Sequence, residues 1–583
     1  MRADRTTGRR AQPQAGTRAE RRRASHRRRR GFCRRPLLTL LLSGSLLLGV
    51  SAAGLALDPF TAGAGQDTAA PRTGEPRPAA PTAPGGSGGS DAGGRDGPAP
   101  TPGAGQDGPG KGKAPAPVPD AGDTGDQRPA GALPFDMPEP AALRAAAGPG
   151  RKPVFAHYFT PYSLSLDNVR ADQDYYTRNY LNPDGENGKH ERYGGLLRDR
   201  PLPVKPKSGD WELANLRQEV RTARTAGLDG FTLDLLSLSG QNWDRANLLM
   251  EAARSVDPGF KIMLMPDMTS LTTDDPAVLA DAVAALGRAP AAHRLGDGRL
   301  VVSPFKAEAK DPAWWSRFID LLKSRHGIRT ALVPTFLDFD SHHERFAPIS
   351  HGFSEWGSRS YVGQEGAARD VRRAHDLGKV WMQPVSVQDA RPNQGVYDEA
   401  GNTATLRTTW TRAIEDGADW VQLTTWNDYS EGTQFAPSVH NGHAYLDLTS
   451  YYLTRFKTGS WPEIVRDTLY VTARTQFAAA DPVGDQSLVM SLRKGSAAAR
   501  DTVEVLSFLT APATVRTRTG PATGAYGAPA GLHSELLPLR TGTSAAAVVR
   551  GGKTGARAEL PVPVRGTVKV QDLQYHAVTS GRG

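Results

Sequence analysis

The chain has 583 residues, enough for more than one domain and a sizeable core. Its formal net charge of +10 is concentrated at the amino end, where residues 1–35 carry 14 arginines against two acidic residues, so the rest of the chain sums to about −2. No basic surface is left for nucleic acid, and the only cysteine, Cys33, excludes intramolecular disulfides and cysteine-based metal sites.

The first predicted element is an apolar segment over residues 37–57, which contains no charged residue. Its 21 residues would just span a hydrocarbon core, and the arginine-rich stretch before it would stay cytoplasmic. Two interpretations stay open: a secretory signal peptide cleaved near residues 51–56, or an uncleaved signal anchor. Both predict a secreted or cell-surface protein that meets the membrane only through residues 1–57.

Residues 58–150 are predicted to form a disordered linker. Between residues 61 and 132 the chain is rich in Pro, Gly and Ala, as in "APTAPGGSGGSDAGGRDGPAPTPGAG", and has almost no large apolar side chains. Such a composition cannot bury enough surface to offset the entropy of ordering. We therefore expect a tether that leads to a folded body.

Residues 151–460 are predicted to form a (β/α)8 barrel, because eight apolar or β-branched runs alternate with amphipathic helical segments. The predicted strands are 154–159, 230–236, 261–268, 299–305, 330–338, 351–356, 379–387 and 419–427. The predicted helices are 212–226, 242–256, 275–287, 311–326, 366–377, 404–416 and 445–456. In the fifth unit, around 340–350, the sequence gives no clear helix.

Two further regions complete the predicted architecture. Residues 461–583 show short alternating strands with Gly and Pro turns, which predicts a β-sandwich accessory domain. We expect it to brace the barrel, with carbohydrate binding as the alternative. Residues 160–210 form a long, Tyr-rich insertion after the first strand, and we hypothesise that it walls one side of the substrate cleft.

The barrel prediction points to candidate site residues, since barrel enzymes work at the carboxyl ends of their strands. Carboxylates and aromatic residues recur there, as glycoside hydrolysis requires: one carboxylic acid protonates the leaving oxygen, and a second carboxylate acts as nucleophile or activates water. The candidate catalytic residues are Asp234, Asp428 and Glu431. The candidate substrate-binding residues are His157, Tyr158, Asp267, Glu355, Trp356, Gln388, Trp426 and Asn427.

The sequence contains no HxH, HExxH or EF-hand spacing of metal ligands. We therefore predict no required metal and no other cofactor. The expected partner is a polysaccharide substrate, and we expect the chain to act as a monomer.

Four motifs of the predicted barrel follow one another along the chain. They are "VFAHYF" (154–159), "AGLDGFTLDL" (226–235), "KIMLMPDMTSL" (261–271) and "TTWNDYSEGTQFAPS" (424–438). Together they resemble glycoside hydrolase family 71, the α-1,3-glucanases or mutanases, over roughly residues 152–458. Ser430 replaces a glycine of the family's Trp-Asn-Asp-Tyr-Gly-Glu signature, and Asp234 stands where the family usually has asparagine.

The resemblance implies endo-cleavage of α-1,3-glucan with inversion at the anomeric carbon, on a (β/α)8 barrel followed by a β-sandwich. It implies that Asp428 and Glu431 are the catalytic pair, and either could be the general acid. It also implies a catalytic aspartate in the "DGF" segment, which is Asp229. The position of Asp229 before its strand favours Asp234 instead, and we retain both.

Two other functions stay open at this point. The related family 99 acts on α-mannosides, so an endo-α-mannosidase is the alternative enzyme. A barrel that binds glucan without cutting it is the alternative outside catalysis, although retention of both Asp428 and Glu431 favours an enzyme.

Overall fold

A curled parallel β-sheet lies at the centre of the computed structural model, which describes residues 132–147, 152–364 and 366–582. The first eleven strands are β1 (Val154–Tyr158), β2 (Gly230–Leu235), β3 (Lys261–Pro266), β4 (Leu300–Val302), β5 (Thr330–Leu332), β6 (Thr335–Phe336), β7 (Gly352–Glu355), β8 (Val380–Val385), β9 (Asp389–Arg391), β10 (Val396–Asp398) and β11 (Trp420–Leu423). Nine of them pair in the order β5-β4-β3-β2-β1-β11-β8-β7-β6, and β9 and β10 form a hairpin beside this sheet.

The two ends of this sheet order meet in the segment 330–336. On one side, the Val333 and Thr335 amides donate to the Val302 and Pro304 carbonyls. On the other side, the amides of His351 and Ser354 donate to the carbonyls of residues 332 and 334. β5 and β6 are thus two pieces of one run that contacts both neighbours, and the sheet curls into a TIM-like α/β fold.

Helices cover the outside of the sheet. They are α1 (Pro140–Ala146), α2 (Gly185–Gly188), α3 (Trp211–Thr225), α4 (Gly240–Val256), α5 (Pro276–Gly287), α6 (Pro312–His326), α7 (Phe339–Phe346), α8 (Ala367–Asp376), α9 (Ala404–Glu415) and α10 (Ala444–Thr458). Asp275 and Asp311 cap α5 and α6 by accepting from Ala277 N and Trp314 N, and a proline follows each cap.

The predicted fold class is confirmed at the level of a TIM-like α/β fold, with each predicted strand and helix of the barrel region overlapping an observed one. The fifth unit differs from the expectation, because α7 is a regular helix there. The Asp338 side chain starts it by accepting from Ser341 N, and Phe339 and Phe346 bury one face against the sheet.

Successive side chains of the barrel strands pack into two different apolar cores. Val154 and Ala156 of β1 belong to the outer core between sheet and helices, whereas Phe155 packs with Met263 and Val301 in a small core inside the curl. Successive side chains of a strand point to opposite faces. This alternation decides which strand-end residues reach the interior of the barrel.

The carboxyl-terminal part contains two antiparallel sheets. Its strands are β12 (Thr468–Ala473), β13 (Ser491–Leu492), β14 (Thr502–Leu509), β15 (Ala513–Thr519), β16 (Ala522–Ala528), β17 (Gly531–Pro538), β18 (Ser544–Arg550), β19 (Lys553–Glu559) and β20 (His576–Thr579). One sheet has the order β17-β14-β12-β20 and the other β16-β15-β18-β19. Val471 and Val505 of the first sheet share an apolar cluster with Val515 and Val548 of the second.

Buried charged groups connect these sheets to the loops of the barrel. The Glu399 carboxylate lies 2.8 Å from the Arg474 guanidinium, and the two side chains are 0% and 1% exposed. Glu504 of β14, also 0% exposed, accepts from the Thr403 amide and hydroxyl and pairs with Arg407 of α9. The two parts of the chain are therefore joined by buried ion pairs as well as by apolar contact.

The amino-terminal expectations fall mostly outside the described residues, including the predicted signal or anchor segment 37–57. Helix α1 lies within the range predicted as linker, and its Leu143 is fully buried in the outer core. Packed structure therefore already occurs before residue 150. Across the three described ranges, no helix has the length and apolarity needed to cross a bilayer.

Candidate active site

The interior-facing residues at the carboxyl ends of β1, β2 and β3 form the floor of the candidate site. His157, Asp234 and Asp267 are each 4% exposed. The His157 Nε2 atom lies 3.5 Å from Asp234 Oδ2, and its Nδ1 atom lies 3.2 Å from the Met265 sulfur. Burial lowers the pKa of His157 to about 4, so the imidazole is neutral at physiological pH.

Asp234 has the most strongly shifted pKa of the carboxyl groups on this floor. Its burial, followed by the nearby charges of Asp267 and Glu431, raises its pKa well above the usual value. Its Oδ1 atom has no hydrogen-bond partner among the described residues. Burial therefore favours the protonated form of Asp234, and one of its oxygens is free to meet a ligand.

Asp267 is fixed by its own loop. One carboxylate oxygen accepts from the amide and hydroxyl of Thr269, at 2.7 and 2.6 Å, and the other accepts from the Ser270 hydroxyl at 2.8 Å. These three donors hold the Asp267 carboxyl group in one orientation at the floor of the site.

The loop after β11 carries the predicted catalytic pair. Asp428 Oδ1 accepts from the amide and hydroxyl of Ser430, at 3.0 and 2.6 Å, and from the Glu431 amide at 3.3 Å. Burial raises the pKa of Asp428, although these donors oppose the rise. Burial, together with the charges of Asp428 and Asp389, also raises the pKa of Glu431, to about 7.

Two arginines complete the site, and the sequence did not predict them. Arg391 lies 2.7 Å from Glu431 Oε1 and binds both oxygens of the fully buried Asp389, at 2.6 to 3.0 Å. Arg359 lies over the Trp356 ring, 5.0 Å from its centre. Arg391 follows the predicted end of the seventh strand by four residues in "QDAR", and nothing in that pattern distinguishes it from a solvated turn.

Trp356 supplies the aromatic surface of the site. It faces the interior, with its ring centre 5.0 Å from that of His157 and 4.8 Å from that of Phe305, both edge-on. It is only half-buried, so part of the ring remains accessible next to the carboxylates. The prediction of Trp356 as a sugar-stacking residue is compatible with this geometry.

We expect a Trp356→Ala variant to bind its oligosaccharide substrate about 10–100-fold more weakly, because burying an aromatic face against sugar contributes about 1.5–3 kcal/mol. Steady-state kinetics should show this as a higher KM with kcat largely kept. Trp461→Ala is the matched control, since Trp461 is 49% exposed and packs on Tyr451 of α10. Equal KM values for the two variants would contradict the stacking role.

Three predicted substrate-binding residues need correction. Tyr158 points outward, where its hydroxyl donates to the buried Glu219 at 2.9 Å. Trp426 is 1% exposed and packs on Phe231, so its ring faces are not available for stacking. The Asn427 amide binds the backbone of Phe159 and Tyr162, at 2.7 to 3.0 Å, and thereby positions the loop after β1 instead of a ligand.

Glu355 also differs from the expectation, whereas the substrate-binding role of Gln388 stays a prediction. Glu355 lies two residues after Phe353 on β7 and therefore points to the same, outer face of the sheet. Burial, and then the charges of Asp370, Asp340 and Asp338 in the outer helical layer, raise the pKa of Glu355 to about 8. Its assignment to substrate is corrected accordingly. Gln388 turns its carbonyl oxygen to the Tyr575 amide at 2.8 Å, while its Nε2 atom has no partner within the described ranges.

Asp229 lies at the amino end of β2, five residues before Asp234. A rise of about 3.3 Å per residue separates the two by roughly 16 Å. Asp229 Oδ2 accepts from the Val154 amide at 2.7 Å and from Lys457 at 2.5 Å. The assignment of Asp229 to the catalytic set is corrected, because these contacts give it a structural role at the opposite end of the strands.

The tyrosines of the insertion 160–210 form a small core of their own. Tyr162, Tyr176 and Tyr180 are buried and pack with Tyr429 of the loop after β11. Arg200 and Asp174 add a buried ion pair at 2.5 Å. The insertion therefore contacts the loop that carries Asp428, while its role as a cleft wall stays a prediction.

A comparison with known protein families decides the classification. The model of glycosyl hydrolase family 71 matches residues 205–569, more than half of the chain. This chain belongs to glycosyl hydrolase family 71. The resemblance expected from the four motifs is thereby confirmed, and the chain is a glycoside hydrolase.

Individual family 71 relatives are distant in sequence. A mutanase of Penicillium rubens is 24% identical over 374 residues, which cover 59% of this chain and 80% of the relative. An ascus wall endo-1,3-α-glucanase of Schizosaccharomyces pombe is 24% identical over 376 residues, covering 57% and 84%. Among solved structures, a family 99 endo-α-mannosidase from Bacteroides thetaiotaomicron aligns with a TM-score of 0.42 at 15% identity, covering 52% of this chain and 97% of that one.

Proposed function

We propose that this family 71 protein hydrolyses internal linkages of α-1,3-glucan. The observation that carries the proposal is the pair Asp428 and Glu431 on one loop at the carboxyl end of the strands: Asp428 is buried, the Glu431 side chain is 20% exposed, and burial raises the pKa of each carboxyl group. The names of the relatives support α-1,3-glucan as the substrate.

Glu431 is the better candidate for the general acid. A group whose pKa is raised to about 7 keeps a proton to donate at neutral pH. Asp428 is held by three donors that favour its charged form, which suits a base that activates water for inversion. Asp234, whose Oδ1 atom is free, is our candidate to bind a sugar hydroxyl.

The decisive experiment is incubation of the full chain with insoluble α-1,3-glucan and a count of new reducing ends. Asp428→Asn is the inactive control. The expected result is release of oligosaccharides from wild type alone, with inverted configuration by NMR at early times. Release from α-mannan, or binding of glucan without any new reducing ends, would overturn the proposal.

The pH dependence of kcat/KM should follow the titration of Glu431. Because the acid must be protonated, kcat/KM should fall as pH rises through the pKa of Glu431, at about 7. The charge of Asp389 raises that pKa, so Asp389→Asn should move the falling limb to lower pH. Asp416→Asn, on the outer helical layer after α9, should leave the limb in place; an unmoved limb in Asp389→Asn would contradict the assignment.

We further infer a (β/α)8 barrel over residues 151–460 and a β-sandwich over 461–583, from the eight strand runs and the shared core of the two terminal sheets. The wall-associated name of one relative supports action outside the cell. A secreted or surface-held protein fits the export segment expected at residues 37–57, and we retain the expectation that it acts as a monomer.

A further inference from the structure

Three metal-ligating side chains come together where the catalytic loop meets the carboxyl-terminal sheets. Asp572 Oδ2 lies 2.9 Å from His576 Nε2 and 3.9 Å from His440 Nδ1. The two imidazole rings are stacked, with centres 3.7 Å apart. One ligand atom from each residue lies within 4.8 Å of the others. His440 is far from Asp572 in sequence, so no spacing motif could reveal the group.

The separations suit one small cation. Two ligands about 2.1 Å from a tetrahedral zinc ion lie roughly 3.4 Å apart, and the two ligand distances to Asp572 fall on either side of this value. Two imidazoles and one carboxylate are the donor set that zinc and similar divalent metals prefer.

The cation beside this group is held by backbone oxygen. The Arg198 guanidinium donates to the carbonyls of Gln571 and Tyr193, at 2.6 and 2.5 Å.

Weakly partnered polar atoms provide a second sign of a missing ligand. His440 Nδ1 and the amide atoms of Gln574 make no regular hydrogen bond among the described residues, although Gln574 is 1% exposed. They make only loose contacts, of Gln574 with His440 and of His440 Nδ1 with Asp572 at 3.9 Å. Buried polar groups normally find partners. A metal ion with its bound water would satisfy both side chains.

We propose that His440, Asp572 and His576 bind a zinc-like divalent cation that braces the catalytic loop. Gln574 packs under Gly432, where an added Cβ would lie 2.4 Å from its Nε2 atom, and Gly432 follows Glu431 directly. His440 also donates its backbone amide to Asp199 of the insertion at 3.0 Å. The ion would thus join the catalytic loop, the insertion and the segment before β20.

The test is zinc binding by the tag-free full chain after removal of metal with EDTA. We expect about one equivalent per chain by calorimetry, a rise in Tm on adding zinc, and loss of both in His440→Ala and Asp572→Asn. His533→Ala should bind as wild type does, because His533 lies on β17 beside Glu535. Metal-free Tm values show whether each variant folds.

X-ray absorption at the zinc edge of the loaded wild type needs no variant and should show two imidazoles with oxygen ligands. Failure to bind zinc overturns the proposal, as does binding that survives in both substituted chains or a spectrum without imidazole. These readouts are independent of glucan hydrolysis, so they do not depend on the proposed function.

Discussion

A Glu431→Gln variant is expected to lose about 10²–10⁴-fold in kcat on α-1,3-glucan while keeping its fold. The substitution removes the proton that we assign to the leaving oxygen but keeps the shape of the side chain. It also leaves Arg391 bound to Asp389, whose carboxylate accepts from the Nε and Nη2 atoms of the guanidinium. The loss should therefore appear in kcat and not in Tm.

Substrates with an activated leaving group separate the two catalytic roles. An α-glucosyl fluoride needs little protonation, so it should recover much of the lost rate in Glu431→Gln and none in Asp428→Asn. Glu415→Gln is the matched control, because Glu415 is exposed at the end of α9 and should behave as wild type. The reverse pattern of recovery would exchange the roles of Asp428 and Glu431.

The second large effect concerns stability. Lys457 is 1% exposed, and its ammonium group binds both Asp229 and the Gly227 carbonyl. A Lys457→Met variant leaves the Asp229 carboxylate without its cation, and we expect it to lower the free energy of unfolding by about 3–5 kcal/mol. Denaturant titration checks the value, and kcat per folded molecule should stay near that of wild type.

The same pair tests whether Asp229 is structural or catalytic. In the double variant Asp229→Asn/Lys457→Met neither member of this pair carries a charge, so part of the lost stability should return. Lys310→Met is the control, since its partner Asp274 is exposed and stability should hardly change. A loss of kcat in Asp229→Asn at unchanged stability would restore Asp229 to the catalytic set.

The order of strands and helices could be predicted from the sequence because each unit carries a local pattern. Apolar runs, Asp-Pro caps and final glycines mark the barrel units without knowledge of distant contacts. The helix α7 is harder to predict, because its sequence "FDSHHERF" is mostly polar. Its two apolar residues, Phe339 and Phe346, stabilise the helix only by packing against the sheet.

The candidate site could be predicted only as far as the strands are regular. On β1 and β2, alternation would have shown that His157 and Asp234 face inward while Tyr158 faces outward. The last strand of the barrel region, β11, ends at Leu423, three residues before Trp426. The direction of the Trp426 side chain therefore depends on the loop and is not set by strand alternation. Arg391 depends on the fold for its position beside Glu431.

The buried ion pairs between the barrel loops and the terminal sheets limit how this enzyme can be shortened. Ending the chain near residue 460 would remove Arg474 and Glu504 together, leaving Glu399 without its counterion and Thr403 without its acceptor. The Gln388 carbonyl oxygen would lose the Tyr575 amide at the same time. The barrel region therefore should not be expressed or fused to other proteins without the terminal sheets.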